Sequence, residues 1–253
     1  MKPLILITND DGIDARGIEF LAKQVAPLGN VVVVAPDSPR SGQSCAITVT
    51  KPLQLFKVKE EGNITYYKTT GTPVDCIKLA INDVLERRPD MILSGINHGS
   101  NSGVSTMYSG TMGAAYEGAI IGIPSVGFSI CDHSKDVDFT PCTEVIEKVC
   151  KGVLENGLPA SVCLNVNVPV GIEIKGIKVC KQAMGYWTEE YNKIVDSNNQ
   201  VSYSLTGHFV NTSPKDGTTD EDLLSQGYIT IVPTSCDRTA ISALSFVEKE
   251  LAL

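Results

Sequence analysis

Short apolar runs alternate with amphipathic stretches along most of the chain. Buried parallel strands read as unbroken apolar runs, whereas a helix packed on a sheet repeats apolar residues every three or four positions. The run Leu4–Thr8 therefore predicts a first strand, and the spacing that follows it predicts a helix over about 14–27. The valine-rich run at 31–35, ended by Pro36, predicts a second strand.

The same patterns predict the next elements in alternation. Strands are expected at 46–50, 53–58, 64–69, 91–94, 124–129 and 161–168, and helices at about 72–86, 111–122 and 144–155. Thr72, Pro73 and Asp75 have the spacing of an N-cap, a first helical residue and a capping acid. The Gly- and Ser-rich segment 95–110 predicts a long loop. Together these elements predict an α/β fold with a doubly wound, mainly parallel sheet.

The alternation fades after about residue 169. Beyond it lie strand-like pieces such as 201–210, a polar loop at 213–222, a strand at 228–232 and a final helix from about 239. We expect a single domain over residues 1–253, with a catalytic core over about 1–169. Residues 170–253, called the appendage below, are expected to carry the return strand, the C-terminal helix and an arm that meets another subunit.

Composition narrows the classes of function. The formal net charge is -8 and no Lys/Arg cluster offsets it, which argues against duplex nucleic acid as a partner. No apolar run approaches the 18 to 20 residues of a membrane span. The eight cysteines form no C-x-x-C pair, and no N-terminal secretory signal is visible. We therefore expect reduced thiols and a cytoplasmic protein.

Asp10 and Asp11 follow the first strand directly. Open α/β sheets bind ligands beyond the carboxyl ends of their strands, and two adjacent carboxylates repel unless a cation neutralises them. The segments 35–44 and 95–103, after two further strands, also offer polar oxygens beside glycines. Such oxygen ligands suit Mg²⁺, Mn²⁺ or Ca²⁺ rather than zinc. Turns alone favour the same residue types, but three such loops at three strand ends indicate a metal site.

A second candidate feature precedes the helix predicted at 111–122. Backbone N–H groups at a helix start, with the hydroxyls of Ser109 and Thr111 alongside, form an anion site, although capping explains these residues equally well. The P-loop, G-x-G-x-x-G and G-x-S-x-G motifs are missing. A cation and an anion site together predict phosphate-ester hydrolysis, with water or the Asp10 carboxylate attacking phosphorus.

A set of ordered motifs extends this interpretation over nearly the whole chain. They are I-T-N-D-D-G at 7–12, A-P-D-x-x-R-S-G at 35–42, G-T-P-x-D at 71–75, S-G-I-N-x-G-x-N at 94–101, Y-S-G-T at 108–111, E-G-A at 117–119, G-I-P-S at 122–125, L-N-V-N-V-P at 164–169 and D-R-T at 237–239. With these motifs the chain resembles the SurE survival-protein family of 5'/3'-nucleotidases.

The resemblance implies a role for each matching residue. It implies one divalent cation per subunit, Mg²⁺ or Mn²⁺, held by Asp10, Asp11, Ser41 and Asn97, with Asp10 and Asp11 also serving catalysis. It places Ser109, Gly110 and Thr111 at the phosphate. Asn9, Ser44 and Asn101 are expected as substrate or outer contacts, with loop formation as the alternative for Ser44 and Asn101.

The resemblance also implies the architecture and the assembly. It implies a Rossmann-like three-layer αβα core and homodimers or homotetramers that exchange C-terminal elements. His98 lies at a variable motif position and is expected to face solvent rather than to act as a general acid. Trp187, with Tyr186 and Tyr191, is expected either to stack on a base or to contact another subunit.

The expected function is metal-dependent hydrolysis of nucleoside 5'-monophosphates, and perhaps of 3'-monophosphates, to nucleoside and phosphate. Two alternatives remain open at this stage. One is a phosphatase that acts mainly on polyphosphate or another small phosphate ester. The other is a nucleotide-binding stress-signalling module with little turnover, against which the intact ligand quartet argues. A nicotinamide-dependent oxidoreductase is far less favoured, because the glycine fingerprint is missing.

Overall fold

The computed structural model describes residues 2–251. Its strands β1 to β13 are Leu4–Thr8, Asn30–Pro36, Leu55–Glu61, Ile64–Thr69, Met91–His98, Ser125–Ile130, Val162–Val168, Gly176–Val179, Gly185–Thr188, Tyr191–Val195, Val201–Leu205, His208–Asn211 and Tyr228–Ser235. Its helices α1 to α6 are Arg16–Val25, Pro73–Leu79, Gly110–Ile120, Thr143–Asn156, Asp220–Ser225 and Leu244–Glu250. A π-helical turn, Ala80–Val84, extends α2, and a 3₁₀ helix, Gly103–Met107, precedes α3.

Nine strands form one sheet in the order β3-β4-β2-β1-β5-β6-β7-β13-β8. Six neighbouring strands run parallel, namely β4, β2, β1, β5, β6 and β7. At the two ends of this group, β3 lies antiparallel to β4 and β13 lies antiparallel to β7. The chain moves outward from β1 in one direction to β2 and in the other to β5. The point between β1 and β5 is thus the topological switch point, where such sheets bind ligands.

Side chains that alternate along β1 separate two apolar cores. Ile5 and Ile7 are fully buried on the face covered by α1 and α4, and Leu6 is fully buried on the face covered by α2 and α3. Helices therefore cover both faces of the sheet, because its central strands are apolar on both sides. The predicted α/β class and the three-layer core are confirmed.

Most predicted core elements are present with boundaries shifted by a few residues. The capping box of α2 is confirmed, since Thr72 Oγ1 accepts from the Asp75 amide at 3.1 Å and Asp75 Oδ2 accepts from the Thr72 amide at 2.9 Å. The strand predicted at 46–50 is wrong. That segment is irregular because it is tied to the start of α2, where the Thr48 amide donates to both oxygens of Asp75 at 3.2 Å.

Two predicted loops contain regular structure. Within 95–110, β5 continues to His98 after a bulge that follows Ser94, and the 3₁₀ helix Gly103–Met107 follows. Within the predicted loop 213–222, α5 begins at Asp220. Polar and glycine-rich composition alone does not reveal these elements, because each forms through contacts with distant segments.

The appendage contributes to the main sheet and also extends away from it. Its strands β8 and β13 complete one edge of the sheet, whereas β9 pairs with β12 and β10 pairs with β11 as separate two-stranded ribbons. Trp187 on β9 packs against Phe209 on β12 with ring centroids 6.0 Å apart. Within residues 2–251, no helix combines the length and apolar character that a membrane crossing requires.

Candidate active site

The turn after β1 carries the adjacent carboxylates at the switch point. Asn9 is fully buried and shapes this turn, because its side chain donates to the Gly12 carbonyl at 3.0 Å and accepts from the Gly12 amide at 3.2 Å. Gly12 has a φ of +98°, a conformation that residues with a side chain rarely adopt. Both ends of the Asn9 amide are thus occupied within the turn, and this residue orients the loop.

Asp10 is buried against the start of α3. Its Oδ1 accepts a hydrogen bond from Thr111 Oγ1 at 2.5 Å. A Cβ at position 110 would lie 2.8 Å from Asp10 Cβ and 3.0 Å from its Oδ2, so only glycine fits beside this carboxylate. Burial raises the pKa of Asp10 to about 6; the Thr111 hydrogen bond opposes this rise and the charge of Asp11 adds to it. An unpaired carboxylate in this position needs a counter-charge.

Asp11 faces the end of β5. Its Oδ2 lies 3.1 Å from Nδ1 of His98 and 3.3 Å from the His98 backbone nitrogen. The neighbouring Asn97 uses its Nδ2 as a donor to the carbonyls of Gly99 at 2.7 Å and His98 at 3.3 Å. This orientation directs the amide donor toward the backbone and leaves the carbonyl oxygen of Asn97 as the acceptor end of the side chain.

The loop after β2 is held beside these two turns. The Arg40 amide donates to the Asp10 carbonyl at 2.7 Å, which holds the loop that carries the neighbouring, exposed Ser41 against the turn after β1. Ser44 connects the same loop to the segment before α3: its hydroxyl donates to the Met107 carbonyl at 2.8 Å and its amide to the Tyr108 carbonyl at 3.1 Å.

The start of α3 combines capping by Ser109 with contacts to Asp10. Ser109 is the N-cap, and its hydroxyl oxygen accepts from the Met112 amide at 3.0 Å. Capping by Ser109 is therefore confirmed, whereas Thr111 bonds to Asp10 instead. The first N–H groups of a helix have no partner within it and favour an anion. Asp10 and this helix start thus place a carboxylate directly beside the positive end of a helix dipole.

Asn101 lies outside this group and belongs to a buried polar network. Its Nδ2 donates to Ser129 Oγ at 2.8 Å, its amide donates to Asn167 Oδ1 at 2.8 Å, and its carbonyl accepts from Asn165 Nδ2 at 2.9 Å. These partners lie on β6 and β7. The geometry favours loop positioning for Asn101, the alternative stated from the sequence.

The donor types of the predicted quartet fit a hard divalent cation. Asp10 and Asp11 supply carboxylates, Ser41 a hydroxyl and Asn97 an amide oxygen, all ligands typical of Mg²⁺ and Mn²⁺. Over residues 2–251, no three His, Cys, Asp or Glu side chains gather into a metal-binding group. The quartet includes only two residues of those types, so its chemistry is that of an oxygen-ligand site and not of a zinc site.

Two contacts at this edge of the sheet escaped the sequence reasoning. The expectation that His98 faces solvent is wrong: its side chain is 18% exposed and contacts Asp11. Asp220, at the start of α5, accepts from the amides of Gly103 at 2.9 Å and of Ala183 at 2.8 Å. The motif at 94–101 identifies the position of His98 but not its contact with Asp11, which depends on the pairing of β1 with β5, whereas Asp220 has no local signal.

Comparison with known proteins identifies the family. The model of the survival protein SurE family matches residues 5–189. The protein named 5'-nucleotidase SurE of Bacteroides fragilis is 48% identical over 239 residues, covering 94% of each chain. Its namesake in Bacteroides thetaiotaomicron is 50% identical over 239 residues, covering 94% of this chain and 92% of that one. The chain belongs to the SurE family.

A solved structure agrees with this assignment. The SurE protein from Aquifex aeolicus superposes with a TM-score of 0.83 and is 35% identical in sequence. The match covers 98% of this chain and all of the other. The similarity therefore extends through the appendage as well as the core.

Proposed function

We propose that this protein is a divalent-metal-dependent phosphomonoesterase that hydrolyses nucleoside 5'-monophosphates, with 3'-monophosphates as a further candidate substrate, to nucleoside and phosphate. The observation that carries the proposal is the contact of Asp10 with Gly110 and Thr111, which puts an acidic pair directly beside a helix start. The relatives named 5'-nucleotidase SurE support the same reaction and the same substrate class.

The cation in this proposal is held by Asp10, Asp11, Ser41 and Asn97. When bound, Mg²⁺ or Mn²⁺ would supply positive charge that polarises a phosphoryl oxygen and favours ionisation of water. The raised pKa of Asp10 supports the assignment, because a carboxylate that is costly to ionise alone is stabilised by a cation. The orientation of Asn97 supports it as well, because its amide nitrogen donates to the carbonyls of His98 and Gly99 and its oxygen is the end of the side chain left to bind a cation.

The phosphate in this proposal binds at Ser109, Gly110 and Thr111. The helix dipole and the first amides of α3 stabilise the non-bridging oxygens, and their fixed positions avoid reorganisation as charge shifts in the transition state. Thr111 has a second role, because its hydroxyl holds the Asp10 carboxylate. Asn9 and Asn101 fix the loops on which these groups lie, and Ser44 ties the loop after β2 to the same segment.

Water is the nucleophile in this scheme. Asp10 is occupied by Thr111 and by the proposed cation, which leaves its carboxylate poorly placed to attack phosphorus. Trapping a phospho-aspartyl enzyme with a labelled nucleotide would overturn this part of the proposal.

The test is phosphate release from AMP and GMP by chelator-treated protein, with and without added Mg²⁺ or Mn²⁺. We expect release only with metal, and a loss of at least about 1,000-fold in Asp11→Asn, because this partly buried loop acid contributes to binding more than to packing. Asp14→Asn, an exposed acid three residues away, is the matched control and should keep wild-type rates. Metal-dependent release that persists in Asp11→Asn would contradict the metal assignment.

The proposal extends to assembly and location. We propose one domain with a core at 1–169 and an appendage at 170–253 that forms homodimers or homotetramers by exchanging C-terminal elements. Large apolar side chains exposed in the appendage support it: Tyr191, Ile194, Val195, Val201, Tyr203, Leu205, Leu244, Phe246 and Leu251. All eight cysteine thiols are free, in keeping with a reducing cytoplasm.

A further inference from the structure

His98 joins two loops that are far apart in the sequence. Its Nδ1 lies 3.1 Å from Asp11 Oδ2, and its backbone nitrogen lies 3.3 Å from the same oxygen. The pairing of Thr8 with Ser94 in the sheet brings the ends of β1 and β5 side by side and makes this contact possible. One carboxylate oxygen therefore receives two donors from a single residue.

The imidazole ring is held from its other side by aromatic residues. Phe139 is almost fully buried and meets the His98 ring edge to face, with centroids 5.3 Å apart. Phe139 in turn contacts Phe20 of α1, with centroids 5.7 Å apart. Because the buried Phe139 packs against the ring, it restricts the movement of the imidazole away from Asp11.

This arrangement has the form of an outer-shell contact to a metal ligand. Carboxylates that bind a metal are commonly oriented by a hydrogen bond to one oxygen, and loss of such a partner costs about 10- to 100-fold in metal affinity. The carboxylate beside the buried Asp10 also gains a donor that offsets part of the repulsion between the two acids.

We propose that His98 is a positioning residue that holds the Asp11 carboxylate in the orientation needed to bind a divalent cation. The inference rests on the proposed function in one respect, namely that Asp11 is a metal ligand. His98 then acts through Asp11 and has no contact with the leaving group, which distinguishes this role from that of a general acid.

Three substitutions at His98 separate the effect of its hydrogen bond to Asp11 from the effect of its side-chain shape. His98→Leu keeps comparable bulk against Phe139 but removes the donor. His98→Asn restores an N–H group close to the position of Nδ1, whereas His98→Gln places its donor further out, near Nε2. His208→Leu is the matched control, because the His208 side chain is 62% exposed on β12.

The primary measurement is the Kd for Mn²⁺ alone, obtained by electron paramagnetic resonance on chelator-treated protein, with circular dichroism to verify folding. We expect about tenfold weaker binding in His98→Leu, since the backbone donor remains. His98→Asn should stay within about threefold of wild type, and His98→Gln should fall between the two. At saturating Mn²⁺ the kcat on AMP should return close to the wild-type value in every variant.

The outcomes distinguish this inference from the proposed function. Unchanged Mn²⁺ affinity in Asp11→Asn would overturn the metal assignment, and the role of His98 with it. Loss of binding in Asp11→Asn, combined with wild-type affinity in His98→Leu, would overturn the role of His98 alone. An unchanged Kd with a kcat lowered in both His98→Leu and His98→Asn would indicate a general acid instead. If His98→Leu does not fold, the comparison of His98→Asn with His98→Gln decides.

Discussion

The carboxylate edge of the core and the ribbons of the appendage use polar and apolar residues in opposite ways. At the core edge, Asp10 and Asn101 are buried polar residues, and their side chains find partners within the same chain. On the β10–β11 ribbon, Tyr203 and Leu205 are 64% and 73% exposed, so apolar surface is left in contact with water.

This difference indicates which contacts each region uses: contacts within the subunit at the core edge, and contacts with another surface in the appendage. Burying a polar group without a partner costs free energy, so the core edge is determined by contacts made inside one subunit. Large exposed apolar patches mark surfaces that bind something else. The contacts that determine the core edge are thus internal to the subunit, whereas the exposed apolar surface of the appendage fits the second copy of the chain that we have proposed as its partner.

Among the tests of this comparison, the largest effect is expected from Gly110→Ala. The new Cβ would lie 2.8 Å from Asp10 Cβ, so the carboxylate must move relative to the start of α3. Displacement of about 1 Å at a reacting site can cost about 100-fold in rate, and we expect kcat on AMP to fall by at least that factor. Gly152→Ala on α4 is the control, because its Cβ would meet open space. Wild-type kcat in Gly110→Ala would remove the proposed cooperation of Asp10 with the helix start.

A smaller effect is expected where the two regions join. Asp220 is fully buried and accepts from the amides of Gly103 in the core and Ala183 in the appendage. Asp220→Asn turns an N–H group toward one of these donors, which should lower the free energy of unfolding by about 1 to 3 kcal/mol in urea titrations. Asp136→Asn, at a fully exposed acid, should leave it unchanged. Equal stability of the two variants would mean that Asp220 does not connect the regions.

The same contrast explains how much could be predicted from the sequence. The apolar runs of β1 and β2 and the capping box at Thr72 and Asp75 are local patterns, and the structure contains all of them. The acidic pair at the end of β1 was recognisable because a like-charged pair beside a glycine is unusual after a buried strand. Motif order then adds the proposed ligands Ser41 and Asn97, which no local rule selects.

The rest depended on contacts between distant residues. The bond between Asp11 and His98 joins positions 87 apart and follows from the register of β1 with β5. Asp220 reaches Gly103 over 117 positions. The strands β8, β9 and β10 are not individually predicted, because β8 is a four-residue strand at the edge of the main sheet and β9 and β10 lie in the exposed ribbons, so none of them shows an alternation of buried and solvent-facing residues. A periodic pattern of apolar residues indicates that one face of a strand is buried within its own chain, and these strands bury little surface in that way.

The appendage side of the comparison can be tested with Phe246→Asp. Phe246 on α6 is 66% exposed, so a charge there should leave the folded subunit intact. Self-association should weaken at least about tenfold, or about 1.4 kcal/mol, in sedimentation velocity over a range of protein concentrations. Ser245→Asp adds the same charge to the neighbouring exposed position and serves as the control. Identical sedimentation of both variants and wild type would remove α6 from the proposed interface.

The smallest effect concerns Glu221, which lies next to Asp220 and accepts a hydrogen bond from the Ser102 hydroxyl. Burial raises the pKa of Glu221 above its ordinary value. A carboxyl whose pKa is raised by folding contributes stability that is complete below its unfolded-state pKa and is lost as pH rises through its folded-state pKa. Glu221→Gln keeps an oxygen that accepts from Ser102 and removes the pH dependence of stability that this carboxyl causes.

We therefore expect Glu221→Gln to be more stable than wild type at pH 7.5, by less than about 1 kcal/mol because the side chain is partly exposed. The advantage should disappear near pH 4, where the wild-type carboxyl holds its proton. Urea titrations at the two pH values measure the difference, with the exposed Glu155→Gln as control. A variant less stable than wild type at pH 7.5 would show that the charged carboxylate strengthens the junction of core and appendage, contrary to the burial argument.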